Sequence, residues 1–172
     1  EVLYTFPTSW PFLQEGQVKQ AGNQVLIADP AEERAYLVDA VTGALEQEFF
    51  GGQLSFTSGI ALDTDGYIAI GAPFADVGIL LRSGVGTLFQ KASGSTSYEA
   101  IANLVFGKGN DSKFGAVMAF SEDALFVNDA VPPFFNRQPG IHVIDKETGT
   151  KALQFIQTGS PTSMRYKNGE LI

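Results

Sequence analysis

The chain of 172 residues is 44% hydrophobic and only 17% charged, long enough for a sizeable core and incompatible with general disorder. Its formal net charge of -8 repels phosphate backbones and anionic membrane surfaces, which argues against both as partners, and no window approaches the eighteen consecutive apolar residues of a membrane-inserting segment. The absence of cysteine excludes disulfides, thiolate catalysis and zinc–thiolate sites but leaves the compartment open.

The amino terminus, EVLYTFPTSW, lacks the basic start and unbroken apolar stretch of a signal peptide, and because it begins with Glu1 the chain reads as a cleaved or partial one. Residues 1–13 hold one short β-rich run, Val2 to Phe6, read as the last strand of a preceding unit, and a connector containing Trp10. Residues 14–55 form a first repeat. It has a strand over QVKQ, a turn at Ala21-Gly22-Asn23, a second strand in QVLIADP (24–30) and a hairpin in AYLVDAVTGALEQEFF (35–50). Residues 56–113 repeat the pattern with GIAL, a turn at Asp63-Thr64-Asp65-Gly66, YIAIGAP (67–73), a long loop, and GTLFQKASGSTSYEAIANLV (86–105). Residues 114–159 do so again with AVMAF, a turn at Ser121-Glu122-Asp123, ALFVNDA (124–130), a second long loop, and IHVIDKETGTKALQFI (141–156). Residues 160–172 then open a further unit, in which TSMRYKNGELI reads as a first strand, an Asn-Gly turn and the beginning of a second strand.

The repeat organises this reading. Residues 35–50 and 141–156 align without a gap, sharing Asp39/Asp145, Thr42/Thr148, Gly43/Gly149 and Phe49/Phe155, at an offset of 106 residues, twice 53. The second strands are nearly continuous in apolar residues (Val25 to Ile27, Ile68 to Ile70, Leu125 to Val127), which implies burial on both faces. Four-stranded sheets stacked face to face around an axis supply that burial. The predicted fold is therefore all-β, a β-propeller of three whole four-stranded antiparallel blades with partial blades at both ends. Other residues, from the same parent chain or from a partner, are expected to finish the ring.

Two short motifs carry a family resemblance. Phe114-Gly115, within FGAVMAFSEDALFVNDA, and Gly71-Ala72-Pro73 resemble the signatures of the FG-GAP repeat family, found in the propellers of integrin α-subunits and in many bacterial surface proteins. Other copies depart from them: residues 56–59 read Phe-Thr-Ser-Gly, 28–30 Ala-Asp-Pro and 128–130 Asn-Asp-Ala. The resemblance implies a propeller used for adhesion, ligand binding or assembly, with calcium in many members.

Candidate sites follow. Calcium wants six to eight oxygen ligands, and this chain offers Asp63 and Asp65 as its only candidate pair; an Asp-Gly hairpin turn explains the same residues without metal. The loops after the second strands should share one face and bring Asp29, Glu32, Glu33, Asp76 and Asp129 to it. Two of these loops add anchors of the kind that interfaces enrich: Phe74, Ile79, Leu80, Leu81 and Arg82, then Phe134, Phe135 and Arg137. The competing reading folds those side chains back as a cap. Asp39 to Gly43 and Asp145 to Gly149 read as structural turns, Gly107 to Asn110 as a turn between units, and the sole histidine, His142, as a sheet-surface residue.

The leading functional expectation is a non-catalytic protein-interaction or structural module of an extracellular or particle-surface assembly, such as an adhesin, filament or virion. Its partners are other protein chains, the remainder of the same propeller among them. A carbohydrate-binding propeller, with Phe74 or Phe135 stacking on sugar, is the alternative. A fragment of a propeller enzyme ranks third, because the carboxylates serve acid–base chemistry only when paired.

Overall fold

The computed structural model describes residues 17–52, 55–105, 107, 109–130, 139–156, 164, 166–167 and 170–172. Val2 to Phe6, Trp10, Phe134, Phe135 and Arg137 lie outside them. Strands β1 (Val18–Ala21), β2 (Gln24–Asp29), β3 (Arg34–Asp39) and β4 (Leu45–Phe50) form a first antiparallel sheet in that order. The second sheet holds β5 (Gly59–Leu62), β6 (Tyr67–Ala72), β7 (Val85–Lys91) and β8 (Tyr98–Leu104). The third holds β9 (Met118–Phe120), β10 (Ala124–Asp129), β11 (Gly140–Asp145) and β12 (Lys151–Ile156), and a hairpin of β13 (Tyr166–Lys167) and β14 (Glu170–Leu171) follows.

The sheets stack by their faces. β1 lies beside β5 and β5 beside β9, so the first strands converge on a common centre. The outer strands β4 and β8 carry the most exposed residues of their sheets. Between the first and second sheets, Leu26, Ala28, Leu37 and Phe49 pack on Ile60, Ile68, Ile70 and Ala72. Between the second and third, Ala61, Tyr67, Ala69 and Leu88 pack on Met118, Leu125, Val127 and Ile144. β6 supplies both layers by simple alternation, and all six of its residues are buried. That is the physical reason for its continuous apolar run.

Glycines let the second and third sheets approach. A Cβ on Gly59 or on Gly71 would stand 2.0 Å from the carbonyl oxygen of Gly115, well inside van der Waals contact. Gly115 itself has φ +86°, a conformation that glycine adopts at no steric cost. The Phe-Gly and Gly-Ala-Pro motifs are thus two sides of one seam, with Phe114 buried beneath it. In the preceding unit Thr57 stands in place of Gly115, at φ +75°, and its buried hydroxyl makes no hydrogen bond. A β-branched residue in that region is strained.

Each outer strand also carries a one-residue bulge at the same level, at Glu46, Ile101 and Ala152, where the pairing with β3, β7 and β11 shifts register. A bulged edge is a poor template for a further strand, so the rim is protected against edge-to-edge pairing.

Candidate functional site

The meander sends its connections to two opposite ends of the sheets. One end carries the tight turns β1–β2, β3–β4, β5–β6, β7–β8, β9–β10 and β11–β12. There Asp39 Oδ1 accepts the N–H groups of Val41 and Thr42 at 2.9 and 2.6 Å and the Thr42 hydroxyl at 2.9 Å. Asp145 accepts those of Glu147 and Thr148 and the Thr148 hydroxyl in the same way. Gly43 and Gly149 follow at φ +70° and +67°. Both turns are self-contained, as read from the sequence. Their hydrogen bonds, from the Thr42 amide to Asp39 and from the Thr148 hydroxyl to Asp145, hold both carboxyls below the ordinary range.

Asp63 and Asp65 also lie at this end, and they already hold a cation. Asp63 Oδ1 accepts the N–H groups of Asp65 and Tyr67, which builds the Asp-Gly turn, while Oδ2 takes Lys146 Nζ at 3.0 Å. Asp65 Oδ2 takes the same ammonium at 2.7 Å, and the ammonium sits 5.1 Å from the centre of the Tyr67 ring. Burial opposes the charge on Lys146, but the two carboxylates outweigh it and raise its pKa above the ordinary value. The sequence placed a calcium candidate here; the geometry makes the pair one half of an ionic clasp between the second and third sheets. Among the described residues no group of three or more His, Cys, Asp or Glu side chains is arranged to hold a metal ion.

The other end carries the long loops, and it differs in kind. Among the described residues, all six non-glycine residues with positive φ lie in them: Glu33, Ser55, Thr57, Arg82, Asp111 and Lys113. Hydrogen bonds run across this face from loop to loop. Glu33 accepts the Ser55 N–H, and the Ser55 hydroxyl accepts the Phe74 N–H at 3.0 Å. Lys113 Nζ then lies 5.4 Å from the centre of the Phe74 ring. Arg82 forms an ion pair with Asp111, Nε to Oδ1 2.8 Å, and donates its backbone N–H to Asp76 at 2.7 Å, while Asn110 Oδ1 accepts the Leu81 N–H at 2.9 Å. The loop 73–84 is thereby stitched to the loop 107–113.

From that base a small hairpin rises. Val77 and Leu80 exchange backbone hydrogen bonds of 2.9 and 3.0 Å, with Gly78 at φ +60° turning the chain. Ile79 at its tip is 93% exposed and Leu81 beside it 56% exposed, whereas Leu80 and Phe74 are half-buried. The two sequence-level alternatives therefore divide the same loop: Phe74 and Leu80 belong to the cap, Ile79 and Leu81 to the open surface. Asp76 and Arg82 are exposed but bonded within the loop.

Three expectations are corrected. Asp29 does not offer a free carboxylate to the loop face: it is buried and accepts the N–H groups of Ala31 and Glu32. Asp129 is buried too, with Oδ2 3.3 Å from His142 Nε2. His142 is not a surface residue. It pairs across the ladder with Val127 on the face turned to the second sheet, and its ring meets the Phe114 ring edge-on at 5.3 Å. The alternation with buried Ile144 was the signal that places it inward. Lys113 and Asp111 went unnoticed in the sequence, since nothing local marks a segment between sheets as part of the loop face.

Sequential four-stranded meanders, converging first strands and face-to-face cores together define the architecture. The fold is a β-propeller. Its structural neighbours agree: the chain superposes on Sqt1 of Saccharomyces cerevisiae with a TM-score of 0.57 and 11% identity, over 91% of this chain and 41% of that one. It superposes on the β-propeller domain of Cps50 (Swd1) from Myceliophteria thermophila with a TM-score of 0.54 and 10% identity, over 87% of this chain and 46% of that one. The chain thus spans less than half the length of either matched chain. No protein-family model and no curated protein matches this sequence.

Proposed function

We propose that this propeller is a non-catalytic protein-interaction module whose loop face docks a partner through the Val77–Leu80 hairpin. The observation that carries the reading is Ile79, an aliphatic side chain held almost wholly in solvent on a turn that its own loop makes rigid. Strained backbone concentrated on the same face is the second support, since such strain persists where the surroundings enforce a geometry for use. The charges around the tip are spent internally, Arg82 on Asp111 and Lys113 over Phe74. Contact there is therefore apolar, and its affinity should vary little with salt.

The cavity along the axis favours binding over chemistry. Its described lining includes Gln17, Lys19, Met118 and Met164, one charged side chain and no carboxylate pair. An extracellular or particle-surface setting, and descent from the FG-GAP family, belong to this proposal on the strength of the Phe114-Gly115 and Gly71-Ala72-Pro73 motifs. Glycan binding is the weaker reading, because Phe74 is half-buried and its ring is already occupied by Lys113.

The test is a double substitution, Ile79→Ser with Leu81→Ser, in the protein used as bait on its native assembly. The reading expects loss of partner binding with an unchanged circular dichroism spectrum and melting temperature. Retained binding by the folded variant refutes it.

A further inference from the structure

The Val77–Leu80 hairpin does not stand on its own loop alone. Three consecutive carbonyls at its C-terminal base accept from the segment that joins the second and third sheets: Leu81 from Asp111 at 2.9 Å, Arg82 from Lys113 at 3.2 Å and Ser83 from Phe114 at 3.1 Å. Asn110 Oδ1 accepts the Leu81 N–H in return, and Asp111 pairs with the Arg82 side chain. Arg82, Asp111 and Lys113 all hold positive φ without being glycine. Such backbone relaxes unless its surroundings fix it, so the segment 109–114 needs an anchor of its own.

That anchor lies inside the third sheet. The end of β10 brackets the segment: Ala130 donates to the Ser112 carbonyl at 2.7 Å, and Gly115 donates to the Asn128 carbonyl at 3.2 Å. Asn128 Oδ1 also accepts the Val117 N–H at 2.7 Å. Between Asn128 and Ala130, Asp129 turns its carboxylate inward, with Oδ2 3.3 Å from His142 Nε2. The other oxygen, Oδ1, has no hydrogen-bond partner among the described residues, which leaves Oδ2 to hold the carboxylate. The His142 ring in turn meets the ring of Phe114, with which the segment ends. Asp129, His142 and Phe114 are each at most 2% exposed, so a contiguous run of contacts leads from the hairpin to a pair sealed in the core.

We infer that Asp129 and His142 are positioning residues for the docking hairpin. They fix Phe114 and the end of β10, and through the segment 109–114 they fix the posture of Ile79. The consequence for binding rests on the docking role proposed above, since a tip held in one posture loses less freedom when it meets a partner.

Spin labelling tests the inference without a partner. The chain has no cysteine, so one introduced thiol takes a single nitroxide. Ile79→Cys places it at the hairpin tip, and Val41→Cys places a control on a self-contained turn of the opposite end, where Val41 is 68% exposed. In each background His142→Leu removes the group facing Asp129, whereas His142→Gln supplies an N–H group at the reach of Nε2. Well below the melting temperature of each variant, His142→Leu should sharpen the spectrum of the label at position 79 and leave that at position 41 unchanged. Amide exchange at Leu81 and Asp111 should quicken at least about tenfold. His142→Gln should keep both readouts at their parent values. Asp111→Ala, at the partly exposed base of the hairpin, should free the label at position 79 as well. The inference is overturned by a folded His142→Leu that leaves the tip and the two amides unchanged, by labels that loosen alike, or by His142→Gln loosening the tip as much as His142→Leu. A tip that stays restrained in Asp111→Ala overturns it even where no His142 variant folds. A tip held as described that binds nothing refutes the docking reading and leaves this one standing.

Discussion

The two ends of the propeller solve the same problem, turning a strand back on itself, by opposite means. The turn end uses glycine where φ must be positive, at Gly22, Gly43, Gly66, Gly94 and Gly149, and closes each turn with its own side chains. The loop end accepts positive φ at Glu33, Ser55, Thr57, Arg82, Asp111 and Lys113, and borrows hydrogen bonds from other loops to hold it. A self-sufficient turn can be read from four residues, but a borrowed one cannot. That difference explains both why the turn end is stiff and local and why the loop end is where a partner finds a shaped, apolar projection.

Substitutions sharpen this contrast, beginning with the largest effect. Gly71→Ala drives a methyl group into the Gly115 carbonyl oxygen, a backbone atom that cannot step aside, and should cost about 3 kcal/mol or more in chemical denaturation. An effect within the range of an ordinary surface change would mean that the seam is not closed. On the opposite end, Lys146→Met leaves the nearly buried Asp63 without its cation, and a loss of about 2 kcal/mol is expected, discounted because Asp65 is largely exposed. Restoring stability by adding Asp63→Asn to that variant would identify the ionic clasp as the cause.

Thr57→Gly runs the other way. It should stabilise the protein by about 1 kcal/mol, since it removes a β-branched residue from positive φ and a buried hydroxyl without a partner. A loss of stability would show that the loop end does not carry strain there. The smallest effect on stability belongs to Ile79→Ser, within about 0.5 kcal/mol, because the side chain touches little of the fold it projects from.

Acid should select the turn end. Asp39, Asp65 and Asp145 have folded pKa values below the ordinary 3.8, through the Thr42 amide, Lys146 and the Thr148 hydroxyl respectively. A depressed carboxyl contributes stability that is fully present above its unfolded pKa and is lost as pH falls through the folded value. The denaturation midpoint should therefore drop as the pH falls below the ordinary carboxyl value of 3.8, and Asp145→Asn should make that drop shallower. An unchanged acid profile in this variant would remove the Thr148 hydrogen bonds from the account.

Much of this architecture was legible in the residues. Strand positions followed from apolar runs and turn chemistry, and the gapless match of Asp39 to Gly43 with Asp145 to Gly149 marked two turns of identical construction. The burial of β6 on both faces followed from its unbroken apolar sequence. What escaped was set by tertiary position. The ammonium between Asp63 and Asp65 comes from a residue about eighty positions along the chain, and the inward turn of His142 depends on which face of β11 meets the second sheet. At the loop end, Ile79 and Leu80 are neighbours of equal hydrophobicity, and only the Val77–Leu80 bridge decides which of them is covered.

Amide hydrogen exchange measures the radial stacking of the sheets most directly. β6, sealed between two cores and paired on both sides, should exchange slowest, and β8, at the rim of the same sheet and paired with β7 alone, should exchange at least about tenfold faster. Equal protection of β6 and β8, or a slower β8, would contradict a stack of sheets converging on their first strands.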